Sequence, residues 1–196
     1  MVRPWEGAYP SATTYDINEN GRILTYQRSE VHDTDLHAQT AESFIRQTAG
    51  GAPSFMHLSP NAPHHPSYCA PRHSGMFSET ETPLPEPSSF NEADVSDKPQ
   101  WVRNKPRLSS TEVSNLTDFY GKRLRALQSL DEMVARLVNA LSESAELSNT
   151  YIVLTSDNGI YLGEHRLTEK AAAYNAAPRV PLLIRGPGVL RGVTRS

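Results

Sequence analysis

The feature that most constrains the fold is a long apolar stripe followed by a short β-branched run. Apolar residues recur at intervals of three and four between positions 110 and 144, which is the spacing of one face of an α-helix. They are Tyr120, Leu124, Leu127, Leu130, Val134, Leu137 and Leu141. Ser109 and Glu112 have the spacing of a capping box at the start of this helix. The run at 151–155 indicates a buried strand, so the helix is predicted to pack on a sheet by its stripe.

Other segments repeat this alternation of strand and helix. Residues 15–27 indicate a hairpin, because Asn20 and Gly21 supply the positive φ angles of a tight turn. A helix is predicted over 34–47, capped by Thr34 and ended by Gly50 with Gly51. Residues 181–185 indicate a further strand. The alternation predicts an α/β layer fold with a largely parallel sheet.

Most of the chain's 15 prolines fall in the segment 59–107, where they are mixed with Ser, Asn and His. Proline removes a backbone donor and fixes φ, so this segment is predicted to form neither a helix nor a central strand. It is also too long for an ordinary connection. We expect a functional loop over 59–73 and a mobile surface excursion over 78–100.

Composition and charge exclude several classes of function. The formal net charge is −3 and the chain has no polybasic run, so neither nucleic acid nor an anionic membrane is an expected partner. No apolar stretch is long enough for a transmembrane helix. The first seven residues lack the basic and apolar regions of a signal peptide. Cys69 is the only cysteine, so an internal disulfide is impossible.

The residues with the clearest chemistry follow the strand predicted at 151–155. In open α/β sheets, ligands bind beyond the carboxyl ends of strands. Asp157 offers a carboxylate and Asn158 an amide carbonyl, both of which are hard oxygen donors suited to Ca²⁺ or Mg²⁺. Gly159 then lets the chain turn sharply. An ordinary Asp-Asn-Gly turn after a strand is the alternative interpretation.

Two longer runs give this turn a context. Residues 149–167 read NTYIVLTSDNGIYLGEHRL, and residues 179–189 read RVPLLIRGPGV. Both resemble signature segments of the sulfatase family. Residues 62–66, APHHP, and 70–73, APRH, are similar to a loop of the N-acetylglucosamine-6-sulfatase-like and arylsulfatase-like members. The resemblance extends from about residue 15 to residue 189.

This resemblance implies an alkaline-phosphatase-like layered fold, and it implies hydrolysis of sulfate esters with one bound Ca²⁺. The substrate would be an aryl sulfate or a sulfated sugar. Asp157 and Asn158 match two metal ligands of the family, and His64 and Lys170 match positions that contact the substrate sulfate. These roles are physically reasonable, because a divalent cation, a lysine and a histidinium can stabilise the charge of a sulfate ester during hydrolysis.

The chain also departs from the family pattern. The family's nucleophile is a cysteine, converted to formylglycine, in a Cys-x-Pro-x-Arg motif that this chain lacks. Cys69 is followed by an arginine one position too early for that motif. Residues 1–196 are therefore predicted to be a partial sulfatase catalytic domain, incomplete at both ends. A further difference is Glu169 before Lys170, where family members usually have glycine.

These departures leave three functions open. The first is a sulfatase-family protein that is inactive alone. The second is a phosphoester or phosphonate hydrolase of the same superfamily, although Asn158 favours the sulfatase because two-metal phosphatases generally have histidine there. The third is a non-catalytic truncated product. Full-length members are often secreted or lysosomal, and the localisation of this chain stays open.

Overall fold

The computed structural model describes residues 2–4, 13–78, 82–170 and 172–194. The elements of the first half of the chain are β1 (Val2–Pro4), β2 (Thr14–Glu19), β3 (Arg22–Gln27), α1 (Asp33–Thr48) and α2 (Gln100–Arg103). Those of the second half are α3 (Ser110–Glu143), β4 (Ile152–Thr155), β5 (Tyr161–Leu162), β6 (Thr168–Glu169) and β7 (Leu182–Arg185). Two compact units result, one from residues 1–77 with 122–147 and the other from residues 78–121 with 148–196.

The first unit begins with a three-stranded antiparallel sheet in the order β1-β2-β3. The hairpin of β2 and β3 confirms the prediction from the Asn-Gly pair, because Asn20 has φ 52° and Gly21 has φ 94°. Tyr15 and Ile17 on β2 are buried, so alternate residues of the strand face the interior. Most of the first seven residues, where a signal peptide was not expected, lie outside the described residues.

Helix α1 confirms the predicted helix but not its predicted cap. The helix begins at Asp33, one residue before Thr34, and its N-cap His32 makes no side-chain cap hydrogen bond. The backbone N–H of Thr34 donates instead to Asp33 Oδ1 at 2.9 Å. The Thr34 hydroxyl is buried and has no partner among the described residues. The helix ends at Thr48, and Gly50 follows with φ 68°.

Helix α3 confirms the predicted helix and its capping box. The backbone N–H of Ser109 donates to Glu112 Oε2 at 2.7 Å, and the N–H of Glu112 donates back to Ser109 Oγ at 3.3 Å. Within the first unit, two ion pairs join the helix to α1: Arg136 with Glu42 at 2.6 Å and Arg46 with Glu143 at 2.7 Å.

The buried face of α3 is rotated from the predicted stripe. Of the seven stripe residues only Leu141 is buried, and the other six are half-buried. The most buried positions of α3 within the first unit are small or flexible side chains instead: Ala126, Ser129, Met133 and Ala140. The large apolar side chains therefore flank the centre of the face, because the centre is occupied by residues that allow close packing.

The second unit contains two small sheets, one of β4 with β7 and one of β5 with β6. Every strand pairing of the described residues is antiparallel, which differs from the largely parallel sheet that the alternation predicted. The physical reason lies in the connection. A parallel pair needs a long crossover, usually a helix, whereas the described residues between β4 and β7 contain the β5–β6 pair and turns.

The proline-rich segment forms turns, one 3₁₀ turn (Pro71–His73) and the short helix α2. Residues 82–100 lie mostly at the surface, as predicted, but the segment is anchored in the second unit, because Leu84 and Val95 are buried and Phe90 forms a β-bridge with Glu164. Residues 79–81 lie outside the described residues. The helices of the described residues do not combine the length and hydropathy that crossing a membrane requires.

Candidate functional site

Asp157 and Asn158 lie directly after β4, at its carboxyl end. Asp157 is exposed and its Oδ1 accepts a hydrogen bond from the backbone N–H of Asn158 at 2.8 Å. Gly159 follows in close contact with another segment, since its N–H donates to the Ala177 carbonyl at 2.6 Å. An added Cβ at Gly159 would lie 2.2 Å from the Ala176 carbonyl oxygen. Glycine is therefore required for this turn to pack as it does.

Lys170 is brought to the same place by the β5–β6 pair. Its Nζ lies 3.4 Å from Asn158 Oδ1, at the long limit of a hydrogen bond. Glu169, immediately before it, has φ 77°, a conformation that favours glycine. The position at which family members usually have glycine is thus the position where the backbone needs it. The correspondence of Lys170 to the family's lysine stays a prediction.

His64 lies in the first unit, whereas Asp157, Asn158 and Lys170 lie in the second. Its exposed ring is oriented by Nδ1, which donates to the His65 carbonyl at 2.8 Å because that oxygen can only accept. Nε2 is therefore the nitrogen available to a ligand. The Pro63 carbonyl beside it accepts from Ser67 Oγ at 2.9 Å and from Arg123 Nη1 at 3.1 Å. The convergence of His64 with the other three residues stays a prediction.

Asp157 and Asn158 offer the type of ligand atom that a hard divalent cation prefers, but they offer too few of them. The carboxylate and the amide carbonyl are two oxygen donors, whereas Ca²⁺ takes six to eight. The described residues contain no group of three or more His, Cys, Asp or Glu side chains that could hold a metal ion. Asp157 and Asn158 can therefore supply part of a metal site, and water or other groups must supply the remainder.

The segment 161–174 that positions Lys170 is tied down by hydrogen bonds that the sequence did not reveal. The hydroxyl of Tyr161, a fully buried residue, lies 2.7 Å from the Ala172 carbonyl and 2.8 Å from the Tyr174 carbonyl. It also accepts from the Tyr174 N–H at 2.9 Å. Arg166 donates to the carbonyls of Glu92, Ala93 and Lys105 at 2.8–2.9 Å. No local motif signals these contacts, because their partners are 11 to 74 positions apart.

A cleft of ≈ 400 Å³ lies in the second unit at Glu169. Its walls are formed by Trp101, Lys105, Leu167, Thr168, Glu169 and Ala172. None of these was a site residue predicted from the sequence. Trp101 in α2 is the cleft residue that could have been found from the sequence, since the chain has only two tryptophans and this one lies in a polar segment.

Comparison with known proteins agrees with the resemblance. A sequence model of the sulfatase family matches residues 4–195. An arylsulfatase of Volvox carteri is 39% identical over 203 residues, covering 90% of this chain and 31% of that protein. The N-acetylglucosamine-6-sulfatase of Bos taurus is 32% identical over 179 residues, covering 89% of this chain and 31% of that protein. The chain therefore spans about a third of the length of these relatives.

Solved structures share the fold. A protein solved in complex with its substrate, D-glucosamine-2-N,6-O-disulfate, superposes with a TM-score of 0.73 at 24% identity, covering 88% of this chain and 46% of that one. A phosphonate monoester hydrolase from Silicibacter pomeroyi superposes with a TM-score of 0.67 at 22% identity, covering 94% of this chain and 38% of that one. At these identities the likeness shows the fold alone, a partial α/β domain of the alkaline-phosphatase-like class.

The match over almost the whole chain defines a hydrolase family, and the chain belongs to it: it is a member of the sulfatase family. The relatives of this family hydrolyse sulfate esters, and the family generally binds a divalent metal ion. The prediction of the family from residues 149–167 and 179–189 is confirmed.

Proposed function

We propose that Asp157, Asn158 and Lys170 form the metal- and sulfate-binding part of a sulfatase active site, with Ca²⁺ as the ion. The observation that carries this proposal is the 3.4 Å approach of Lys170 Nζ to Asn158 Oδ1 at the end of β4. A cation-binding pair of oxygens and an ammonium group thereby lie side by side. A sulfate ester needs both, because its charge is spread over several oxygens.

In the proposed site, Asp157 and Asn158 would hold the metal ion through their side-chain oxygens. The ion would act as a Lewis acid on the sulfate oxygens. Lys170 donates hydrogen bonds to a sulfate oxygen and neutralises part of its charge. We propose a sulfate-binding role for His64 as well, whose Nε2 is the ring nitrogen available to a ligand.

The proposed substrate is a sulfate ester of a sugar or an aryl alcohol, as the names of the relatives suggest. Covalent hydrolysis of such an ester needs an activated nucleophile, and the sequence of this chain has no Cys-x-Pro-x-Arg motif. We therefore expect the 196-residue chain alone to bind sulfate and Ca²⁺ weakly and not to turn over a chromogenic aryl sulfate.

Binding can be tested without turnover by following backbone amides in ¹H–¹⁵N spectra. Titration with CaCl₂ is expected to shift the amides of Asp157, Asn158 and Gly159, with a dissociation constant of about 1 mM or weaker because two protein ligands form a poor calcium site. Asp157→Ala should abolish these shifts. Asp131→Ala is the matched control, because Asp131 is an exposed carboxylate on α3.

The sulfate-binding part of the proposal is tested by titrating the protein with sodium sulfate. A titration with NaCl at the same ionic strength is the reference. Lys170→Met should weaken binding several-fold, whereas Lys122→Met, at another exposed lysine, should not. Calcium shifts that survive Asp157→Ala would show that the ion binds elsewhere and would overturn the proposed metal site. Equal sulfate binding by both lysine variants would overturn the role of Lys170.

A further inference from the structure

Arg28 links three separate segments of the first unit at one buried point. Its side chain follows β3 and is 7% exposed, and its Nη1 donates to Asp33 Oδ2 at the start of α1 at 2.8 Å. The guanidinium carbon also lies 5.1 Å from the ring centroid of Tyr15 and 4.7 Å from that of Tyr68. Tyr15 belongs to β2, whereas Tyr68 belongs to the loop that carries His64. The loop is thereby attached to the hairpin and to α1 through one cation.

The two tyrosine rings help to stabilise this buried charge. Arginine stays protonated in proteins, so a buried guanidinium needs partners for its positive charge. Nε and Nη2 of Arg28 are buried and have no hydrogen-bond partner among the described residues. The faces of the Tyr15 and Tyr68 rings attract cations, so they supplement the single ion pair with Asp33. Removal of the Tyr68 ring would leave the guanidinium poorly compensated, so the loop and the cation hold each other in place.

His32 attaches the same loop residue through the main chain. It is the N-cap residue of α1 and is 3% exposed. Its Nε2 lies 3.2 Å from the Tyr68 carbonyl oxygen, and since a carbonyl can only accept, Nε2 is the donor. A part-buried carbonyl that lost this donor would be left unsatisfied, which is costly. Tyr68 is therefore held twice, by its ring and by its carbonyl, from residues Arg28 and His32 on one short segment.

The restraint on Tyr68 reaches His64 through a short hydrogen-bonded turn. Ser67, which is 4% exposed, donates from Oγ to the Pro63 carbonyl at 2.9 Å. Its backbone N–H donates to the His64 carbonyl at 2.7 Å, and the His64 N–H donates in turn to the Asn61 carbonyl at 2.8 Å. The backbone of this turn is thus closed on itself, and it is anchored at the end where Tyr68 follows.

The His64 ring is exposed, so packing around the ring does little to orient it. Its Nδ1 donates to the His65 carbonyl at 2.8 Å, and that oxygen belongs to the same turn. The direction of Nε2 therefore depends on the shape of the turn's backbone. A side chain that binds an oxyanion needs such a fixed position, because a small displacement of a binding group weakens its contact with the ligand strongly.

We infer that Arg28 and His32 are positioning residues for His64: they fix Tyr68, and Tyr68 fixes the turn that sets the direction of the His64 ring. The inference rests on the proposed function, in which Nε2 of His64 binds the sulfate. It assigns no contact with the ligand to Arg28 or His32, since both are buried. A purely structural role for these residues predicts a change in stability alone, whereas a positioning role also predicts a change at the His64 ring.

The test reads the His64 ring in long-range ¹H–¹⁵N spectra of the 196-residue chain at about pH 8.5, above the ordinary titration range of histidine. His64→Gln identifies the His64 signals among those of the seven histidines. The unsubstituted chain should show one dominant tautomer with the proton on Nδ1, because that nitrogen donates to the His65 carbonyl. Tyr68→Leu should replace it by a mixture of both tautomers. Tyr68→Phe should not, because it keeps the ring over Arg28.

A second pair of variants tests the main-chain attachment, and a core variant controls for general loosening. His32→Phe removes the donor to the Tyr68 carbonyl and should also give mixed tautomers. His32→Gln keeps an N–H donor and should preserve the single tautomer. Ile45→Ala, at a buried position near the end of α1, should lower the melting temperature without changing the His64 tautomer.

The outcomes separate this inference from the proposed function. A single His64 tautomer in both Tyr68→Leu and His32→Phe, or mixed tautomers already in the unsubstituted chain, would overturn the positioning role. The same mixture in Ile45→Ala would overturn it as well, because general loosening would then explain the change. If Tyr68→Leu does not fold, the comparison of His32→Phe with His32→Gln decides alone. If the tautomer changes as expected while sodium sulfate shifts no His64 signal of the unsubstituted chain, the positioning role stands and the proposed sulfate contact of His64 fails.

Discussion

The β2–β3 hairpin and the β4–β7 pair are both antiparallel, but they differ in how far their apolar side chains are buried. Ile17 on β2 is 3% exposed. Val153 on β4 is 58% exposed, and Leu182, Leu183 and Ile184 on β7 are all exposed. Only the first of these strand pairs therefore has buried residues within its own unit, and they lie on β2, because Ile23 on β3 is 43% exposed. Burial of apolar surface is the main source of folding free energy.

The difference teaches that the strands that hold this fold together are not the strands that carry its candidate chemistry. Asp157 and Asn158 extend from β4, whose own packing contributes little within the described residues. The site is instead positioned by glycine contacts and by hydrogen bonds such as those of Tyr161 and Arg166. The following experiments test this separation of scaffold and site with matched substitutions.

The largest expected effect comes from placing a charge in each strand pair. Ile17→Asp buries an unpaired carboxylate and should cost more than about 3 kcal/mol of unfolding free energy. Val153→Asp should stay within about 0.5 kcal/mol, because its side chain reaches water. Urea denaturation followed by circular dichroism measures both. Similar losses in the two variants would mean that β4 is buried in solution and would remove the contrast.

A second comparison uses two tyrosine hydroxyls. Tyr161→Phe removes the partner of the Tyr174 N–H and of two carbonyls, so it should destabilise the fold by about 1–3 kcal/mol. Tyr151→Phe is the matched control, since its hydroxyl donates to the Pro187 carbonyl at an exposed position and should cost under about 0.5 kcal/mol. If Tyr161→Phe leaves the unfolding free energy unchanged, the Tyr161 hydroxyl does not hold the segment around Lys170.

Stability should depend on pH through Arg72, which joins α1 and α3. The Arg72 guanidinium donates to Asp35 at 2.7 and 2.8 Å and to Glu132 at 2.9 Å. Its hydrogen bonds hold the pKa of each carboxyl below the ordinary value. Lowered pKa values mean that the stabilisation is complete above the ordinary carboxyl range, near pH 4–4.5, and is lost as pH falls through the folded-state values.

Arg72→Gln should therefore cost about 1 kcal/mol at pH 7, a figure that allows for solvent screening of these partly exposed groups. The difference from the unsubstituted chain should shrink as the pH falls towards 3, because the carboxyls take up protons and lose their ion pairs with Arg72. Thermal melts between pH 3 and pH 7 measure it, and Arg22→Gln on exposed β3 is the control. A difference that is constant over this range would exclude the ion pairs as its cause.

A smaller effect, which increases stability, is expected at Glu169 next to the site. Glu169→Gly should raise the unfolding free energy by about 0.5–1 kcal/mol, because glycine adopts φ 77° without strain. Glu169→Ala removes the carboxylate but keeps the Cβ, so it should give no gain. If the alanine variant is stabilised equally, the side-chain charge and not the backbone is the source of the strain.

The smallest expected effect is at the candidate ligands themselves. Asp157→Asn and Lys170→Met should each change stability by less than about 0.5 kcal/mol, because both side chains are exposed. Their Ca²⁺ or sulfate binding should nevertheless fall. A large loss of stability in either variant would place the residue in the scaffold and would weaken its assignment as a ligand.

Local signals in the sequence predicted much of this structure. The Asn20-Gly21 hairpin and the Ser109–Glu112 capping box depend on residues a few positions apart, and both formed as expected. The family followed from the ordered runs at 149–167 and 179–189. The cap of α1, the rotated face of α3 and the antiparallel pairing of β4 with β7 were not predicted correctly, because each depends on partners that periodicity does not specify.

The sequence by itself determined the family, the helices α1 and α3, and the residue types of a candidate site at Asp157, Asn158 and Lys170. It did not predict α2, which lies in the proline-rich segment. The tertiary structure alone decided that Lys170 meets Asn158, that glycine is needed at 159, and that Trp101 and Glu169 line one cleft. The physical reason is the range of the interactions. Turn and cap preferences act within about four residues, whereas the contacts that place these side chains join segments 11 to 74 positions apart.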